Sequence, residues 1–265
     1  MILSRTSTSL EGETAATPAM PPDLRIYAVG DVHGRHDLLM RMQDLIIADI
    51  AANPACYCRT LFLGDLVDRG PQSAAILEHL SAGGFATPIS VLRGNHEELL
   101  LSFLSDPRVL EDWRKVGGLE TLHSYGIDVS EVLLGCGFDR AREQLVHKLP
   151  SAHQRFVEMT ASSDQYGDYF FCHAGVRPHI ALDEQKSEDL LWIGDEFLRF
   201  RGNFGKIVVH GHTPVDRPDV RTNRINIDTG AFATSVLTAL VLEGQSQRFL
   251  SATPCSADER WLADW

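Results

Sequence analysis

A chain of 265 residues, 44% of them hydrophobic, can bury the core of one large domain, which excludes wholesale disorder. A formal net charge of −12 with no basic stripe excludes a nucleic-acid polymer as partner, and no run of about 18 apolar residues is present to cross a membrane. Five scattered cysteines (Cys56, Cys58, Cys136, Cys172, Cys255) form no C-x-x-C pair, so neither a zinc ribbon nor a disulfide framework is indicated.

Met1–Met20 is polar and lacks the apolar segment of a signal peptide, so residues 1–23 are expected to be a flexible tail and the cytoplasm is the expected compartment. Arg25–Val29 reads as a buried parallel strand, and Leu38, Leu39, Met42, Leu45, Ile46 and Ile50 follow at helical spacing. Thr60–Leu63 is a second strand, Ser73–Leu80 a helix closed by Gly83-Gly84, and Pro88–Leu92 a third strand. A further helix runs from about His96 through Leu104. This rhythm predicts a layered α/β fold. Residues 105–164 change character, with charged helical stretches broken by Gly117-Gly118, Gly126, Gly135 and Gly137, and read as a mostly helical insert covering one side of a site. Strands resume at Asp168–Cys172, where Cys172 is expected as a packed core thiol, and at Lys206–Val209, Ile225–Ile227, Ser235–Leu242 and Arg248–Leu250. The last of these are expected to form an antiparallel part of a second sheet. The main domain is thus drawn at 24–252, with a C-terminal tail at 253–265 whose Trp261 and Trp265 are expected to pack on the body.

Five apolar runs end in Asp, Asn or His with glycine alongside. They lead into Gly30-Asp31-Val32-His33-Gly34, Gly64-Asp65-Leu66-Val67-Asp68-Arg69-Gly70, Arg93-Gly94-Asn95-His96-Glu97, His173-Ala174-Gly175 and His210-Gly211-His212-Thr213-Pro214. An α/β sheet builds its sites at the carboxyl edge of its strands. Residues i and i+2 of an extended segment point the same way, so Asp31 and His33 can grip one cation together, and Asp65 is placed to reach the same ion. Asn95, His173 and one histidine of the His210/His212 pair converge from the other side. That set is too large for one tetrahedral ion and suits two ions sharing a carboxylate. Oxygen and imidazole donors without thiolate point to Mn, Fe, Zn or Mg.

The first three of these blocks resemble the signature blocks of the phosphoprotein phosphatase (PPP) family, within the calcineurin-like metallophosphoesterases, and the two later histidine blocks resemble those of its bacterial-type members. The resemblance runs from about Arg25 to Leu250. It implies a metallophosphoesterase fold of two mixed β-sheets packed between helices, and a centre of two divalent ions, Mn²⁺ foremost. Carried over by position, Asp31 and His33 would bind the first metal, Asp65 would bridge, and Asn95, His173 and His212 would complete the second. His212, between Gly211 and Thr213, matches the family position, and His210 does not. His96 resembles the general acid, Asp68 the carboxylate that orients it, and Arg69 the phosphate-binding fork, with Asn95 and Arg177 as further expected substrate contacts. The implied chemistry is in-line attack on phosphorus by an activated water.

One departure stands out. Bacterial relatives often carry a phosphate-clamping arginine two residues after the tryptophan of a Leu-Leu-Trp stretch; here Leu190-Leu191-Trp192-Ile193 is followed by Gly194. Arg177, Arg199 or Arg201 are the available substitutes. The favoured expectation is hydrolysis of phosphoserine or phosphothreonine in proteins. The alternatives are hydrolysis of a bis-nucleosyl polyphosphate such as diadenosine tetraphosphate and, in another class, an inactive metal-stabilised binding module.

Overall fold

The computed structural model describes residues 17–254. Strand β1 (Leu24–Val29) is apolar but for Arg25, which pairs with Asp49 and Glu243, because both its faces are covered: Tyr27 and Val29 point to one hydrophobic cluster, Ile26 and Ala28 to another. Helix α1 (His36–Ala52) buries Leu38, Leu39, Met42 and Ile46 on one stripe. Strand β2 (Tyr57–Phe62), helix α2 (Ser73–Ser81), the short strand β3 (Ile89–Val91) and helix α3 (Asn95–Ser105) follow, with β1, β2 and β3 parallel.

The expected insert is helical. It consists of α4 (Leu110–Trp113), α5 (Gly118–Ser124), α6 (Ser130–Leu133), α7 (Phe138–Lys148) and α8 (Ser151–Glu158). It does not fold apart from the body. Leu110, Trp113, Leu122, Ile127, Leu145 and Val157 join the same core as α1 and α2.

The chain then enters a second sheet through β4 (Ser163–Tyr166) and β5 (Tyr169–Cys172), crosses α9 (Ser187–Trp192) and α10 (Asp195–Leu198), and adds β6 (Ile207–His210), β7 (Asp219–Val220) and β8 (Arg224–Asn226). Beyond α11 (Ala231–Thr234), the hairpin of β9 (Leu237–Glu243) and β10 (Ser246–Ala252) closes the described chain. The sheet orders are β10-β9-β1-β2-β3 and β4-β5-β6-β8-β7. Between the sheets lie Ile26, Ala28, Leu61, Leu63, Leu240 and Leu242 on one side and Tyr169, Phe171, Val209, Ile225 and Ile227 on the other. The outer face of the second sheet packs Phe170, Cys172 and Val208 against Leu190 and Phe197, so Cys172 is a buried free thiol of that core.

Two expectations need correction. The closing strands belong to the first sheet, where β9 runs antiparallel to β1 with Val29 opposite Ala239. The reason is that β9 is apolar on both faces, with Leu237, Ala239 and Val241 toward the helices and Leu240 and Leu242 toward the second sheet, so it suits a sheet interior. The expected tail of residues 1–23 also runs too far along the chain: Met20 is buried between the sheets, its N–H donating to the Gly244 carbonyl, and Ala19 N donates to Asp168. Residues 1–16 of that tail, and Trp261 and Trp265, lie outside the described residues. No helix among the described residues is long and apolar enough to cross a membrane.

Leu240→Ala therefore removes a side chain packed between two sheets and lowers the unfolding free energy by about 2–5 kcal/mol, read as a fall in the urea midpoint. A cost near zero would place β9 at an exposed edge.

Candidate metal centre

The carboxyl ends of the parallel strands of both sheets open on one edge, and the backbone there is unusual. His33, Asp65, Asp68, Arg69 and His212 all adopt left-handed φ, between 45° and 72°. Non-glycine residues avoid that region, and such strain concentrates at functional sites. Gly64, at φ 99°, permits the close pass of two loops: a Cβ there would sit 2.5 Å from the Gly94 nitrogen.

Glu97, in the first turn of α3, holds the β2 loop in this shape. Its buried carboxylate accepts from the backbone N–H of Asp65 (2.8 Å), Leu66 (2.8 Å) and Val67 (3.3 Å), and from that of Gly94 (2.9 Å). Burial, followed by the nearby Asp65, raises the Glu97 pKa, and backbone donors pull it back. Glu97 stands in the Gly94–Glu97 block, yet nothing in the sequence pattern marks it as the loop's clamp.

Around Asp65 the ligand candidates assemble. His33 Nδ1 donates to the Val67 carbonyl (2.9 Å), which in the neutral ring leaves the Nε2 lone pair facing Asp65 Oδ2 at 3.4 Å. His173 Nδ1 likewise donates to the Leu63 carbonyl (2.9 Å), with Nε2 3.4 Å from Asp65 Oδ2 and 2.9 Å from Asn95 Oδ1. His212 Nδ1 lies 2.9 Å from the same Asn95 oxygen, and its backbone N–H donates to the Asp31 carboxylate. His210 turns elsewhere: it contacts Gly211 O and Arg224 and packs edge-on against Phe197.

These residues fit divalent cations on three counts. Imidazole lone pairs aimed at carboxylate and amide oxygens repel one another unless a positive centre stands between them, and His33 Nε2 is buried with no hydrogen-bond partner. Potential donor atoms gather in two groups that share Asp65, one of His33, Asp65 and His96 and one of Asp65, His173 and His212, each within 4.8 Å. Burial pushes His33 and His212 down to about 3 and about 4, which favours the neutral ring that ligates, whereas at His173 the Asp65 carboxylate outweighs burial and raises the pKa, so a cation there would have to displace its proton. Asp31 is pushed well above the carboxylate range by burial and then by Asp228 and Asp65, while burial and Asp65 push Asp228 up to about 6. Three acids in so dry a place call for positive charge. Burial also pushes the Asp65 carboxyl up, but His173, His96 and His33 outweigh it and hold it well below the usual range.

His96 is a poor ligand despite its place in the first group, because the Arg69 guanidinium lies 3.3 Å from its Nε2 and repels a cation there. Its Nδ1 instead donates to Asp68 Oδ2 (2.7 Å). Burial lowers the His96 pKa, but Asp65 and Asp68 outweigh it, so the ring keeps its proton to higher pH than an ordinary histidine. Asp68 is fully buried and accepts further bonds from Trp113 Nε1 (2.6 Å) and Thr121 Oγ1 (2.6 Å), both on the helical insert. Gly117 makes this contact possible: at φ 113° its carbonyl accepts from Arg69 N, and a Cβ there would lie 2.5 Å from that nitrogen. Arg69 also lies over the Phe232 ring, 4.7 Å from its centroid.

Asp31, His33, Asp65, Asp68, Arg69, Asn95, His96, His173 and His212 thus meet at one place. Arg177 does not join their bonding, since its guanidinium pairs with Asp189 and Glu196. Four contributors escaped the sequence reading: Glu97, Trp113, Thr121 and Asp228, whose Oδ2 is buried without a partner.

Asp65→Asn is expected to abolish binding of both cations, measured as metal per chain after gel filtration, with the far-ultraviolet circular dichroism retained. Glu97→Gln leaves loop N–H groups without acceptors at about 1–3 kcal/mol each and weakens Mn²⁺ affinity in calorimetric titration; unchanged affinity would remove Glu97 from the site's support.

The asymmetrical bis(5'-nucleosyl)-tetraphosphatase PrpE of Anoxybacillus flavithermus is 28% identical over 233 residues, spanning 80% of this chain and 88% of its own. The symmetrical bis(5'-nucleosyl)-tetraphosphatase of Legionella pneumophila is 39% identical over 180 residues, 66% of this chain and 54% of the relative. A crystal structure provisionally assigned as a diadenosine tetraphosphatase superposes with a TM-score of 0.58 at 17% identity, covering 90% of this chain and 95% of that one, which shows the shared fold. The sequence profile described as calcineurin-like phosphoesterase matches residues 24–234, a family whose members work with divalent metals. The chain belongs to the calcineurin-like phosphoesterase family.

Proposed function

We propose that this phosphoesterase hydrolyses a phosphoanhydride of bis(5'-nucleosyl) tetraphosphates, with Mn²⁺ as its working ion. The observation that carries this reading is the reach of the likeness to PrpE, which runs over most of both chains. It displaces phosphoserine and phosphothreonine in proteins as the favoured substrates. The leaving group agrees: anhydride cleavage releases a phosphate with a pKa of about 6, which departs without much help.

Asp31, His33, Asp65, Asn95, His173 and His212 would hold two divalent cations, which polarise phosphoryl oxygens and lower the pKa of water when bound. Arg69 presents a planar fork to non-bridging phosphate oxygens, braced by the Phe232 ring and the Val116 carbonyl. Water adds to phosphorus and gives up one proton to solvent, the bond to the leaving oxygen breaks, and His96 is placed to give that oxygen its Nε2 proton. Asp68 keeps the ring oriented through Nδ1.

A poised acid favours a second reading, because serine and threonine alkoxides leave only with a proton. Protein phosphomonoesters therefore remain the competing substrates. With Mn²⁺ present, kcat/KM for diadenosine tetraphosphate is expected to exceed that for a phosphoserine peptide by roughly tenfold or more, a difference of about 1.4 kcal/mol. A ratio below unity overturns the nucleotide reading. His96→Asn is expected to slow phosphoserine peptide hydrolysis by about 10²–10⁴ and anhydride hydrolysis by much less; equal slowing removes His96 as the acid.

A further inference from the structure

We infer that Trp192 is the stacking platform for a nucleobase, the element that makes this phosphoesterase a nucleotide site. The inference deepens the proposed function and rests on it for the choice of substrate. Trp192 is the last residue of α9. Its neighbours Leu190, Leu191 and Ile193 are buried, so the backbone is fixed, yet the indole is 46% exposed. Among the described residues its Nε1 makes no hydrogen bond, in contrast to Trp113, whose indole is buried and bonded to Asp68.

Its position gives it a use. The ring stands edge-on to His212, centroids 6.4 Å apart, and His212 belongs to the donor group of Asp65 and His173. A phosphate seated at that group therefore has the indole beside it, within the reach of a nucleotide's own sugar and base. Two residues on, a Cβ built at Gly194 would meet nothing within 4 Å. No side chain from that position crowds the indole. Arg177 does not fill the role, being held by Asp189 and Glu196. The other exposed aromatic at the site is already engaged: Phe232 supports Arg69 on its face and touches His33 with its edge. The structure thus assigns the two rings different tasks, Phe232 to the phosphate arm and Trp192 to the base.

Stacking of a base on an aromatic side chain is worth about 1–3 kcal/mol by alanine substitution, which corresponds to roughly a 5- to 150-fold change in affinity. The test uses the full Mn²⁺-loaded chain and compares competitive inhibition by AMP and by ribose 5-phosphate, ligands that differ by the base alone. The wild type is expected to bind AMP roughly tenfold or more tightly than ribose 5-phosphate. Trp192→Ala abolishes that advantage without changing ribose 5-phosphate binding, and Trp192→Phe restores most of it. With diadenosine tetraphosphate, Trp192→Ala raises KM and leaves kcat nearly constant. Equal affinity of the wild type for AMP and ribose 5-phosphate overturns the platform, and so does equal weakening of both ligands in Trp192→Ala. Should AMP be preferred through Trp192 while diadenosine tetraphosphate is not cut, the tetraphosphatase reading fails and the base platform stands.

Discussion

The carboxylate of Glu97, buried under the loop after β2, is the contact on which the site depends. Three residues of that loop, Asp65, Asp68 and Arg69, are held in left-handed conformations that cost on the order of 1–3 kcal/mol each. Glycine would adopt them freely but offers no carboxylate or guanidinium. The chain keeps the side chains and offsets the strain with four backbone N–H bonds to one acid. The left-handed turn brings Asp65 against His33 and His173, Asp68 against His96 and Arg69 against the Phe232 ring.

Division of labour follows from what surrounds each group. Burial, with cationic and imidazole neighbours adding to it, lowers the pKa of His33 and of the partly buried His212. His96, as buried as His33, sits between two carboxylates that raise its pKa. The same residue type is thus tuned in opposite directions by its neighbours, as the proposed roles of ligand and acid require. The insert takes part in this sorting. Trp113 and Thr121 saturate Asp68, so that the carboxylate has one direction left in which to hold His96.

Much of the site was legible because the signal is local. Asp31, Asp65, Asn95, His173 and His212 each follow an apolar run and stand beside glycine, and a strand exit places such residues on one edge whatever the rest of the fold does. Asp228 carries the same mark, since Ile225–Ile227 leads into Asp228-Thr229-Gly230, and could have been read by it. Trp113 and Thr121 could not. They are ordinary members of amphipathic helices, and nothing nearby in sequence tells that they meet an aspartate 45 and 53 residues earlier. Gly117-Gly118 reads as a break between helices, whereas its use is to let two backbones touch. The β9–β10 hairpin was assigned to the other sheet for a related reason: apolar alternation says that a strand is covered, and only tertiary pairing says by what.

The proposed cation ligands come from two sheets. Asp31, His33, Asp65 and Asn95 follow strands of the first, while His173 and His212 follow strands of the second, and the polar contacts that join the sheets at that edge, Leu63 with His173, Asp31 with His212 and Asn95 with both histidines, run largely through those same residues. Ions chelated there act as rivets through the sandwich, and whatever binds the folded chain alone adds to its stability by mass action. Supply of the ion would then govern how long each molecule survives as well as how fast it turns over.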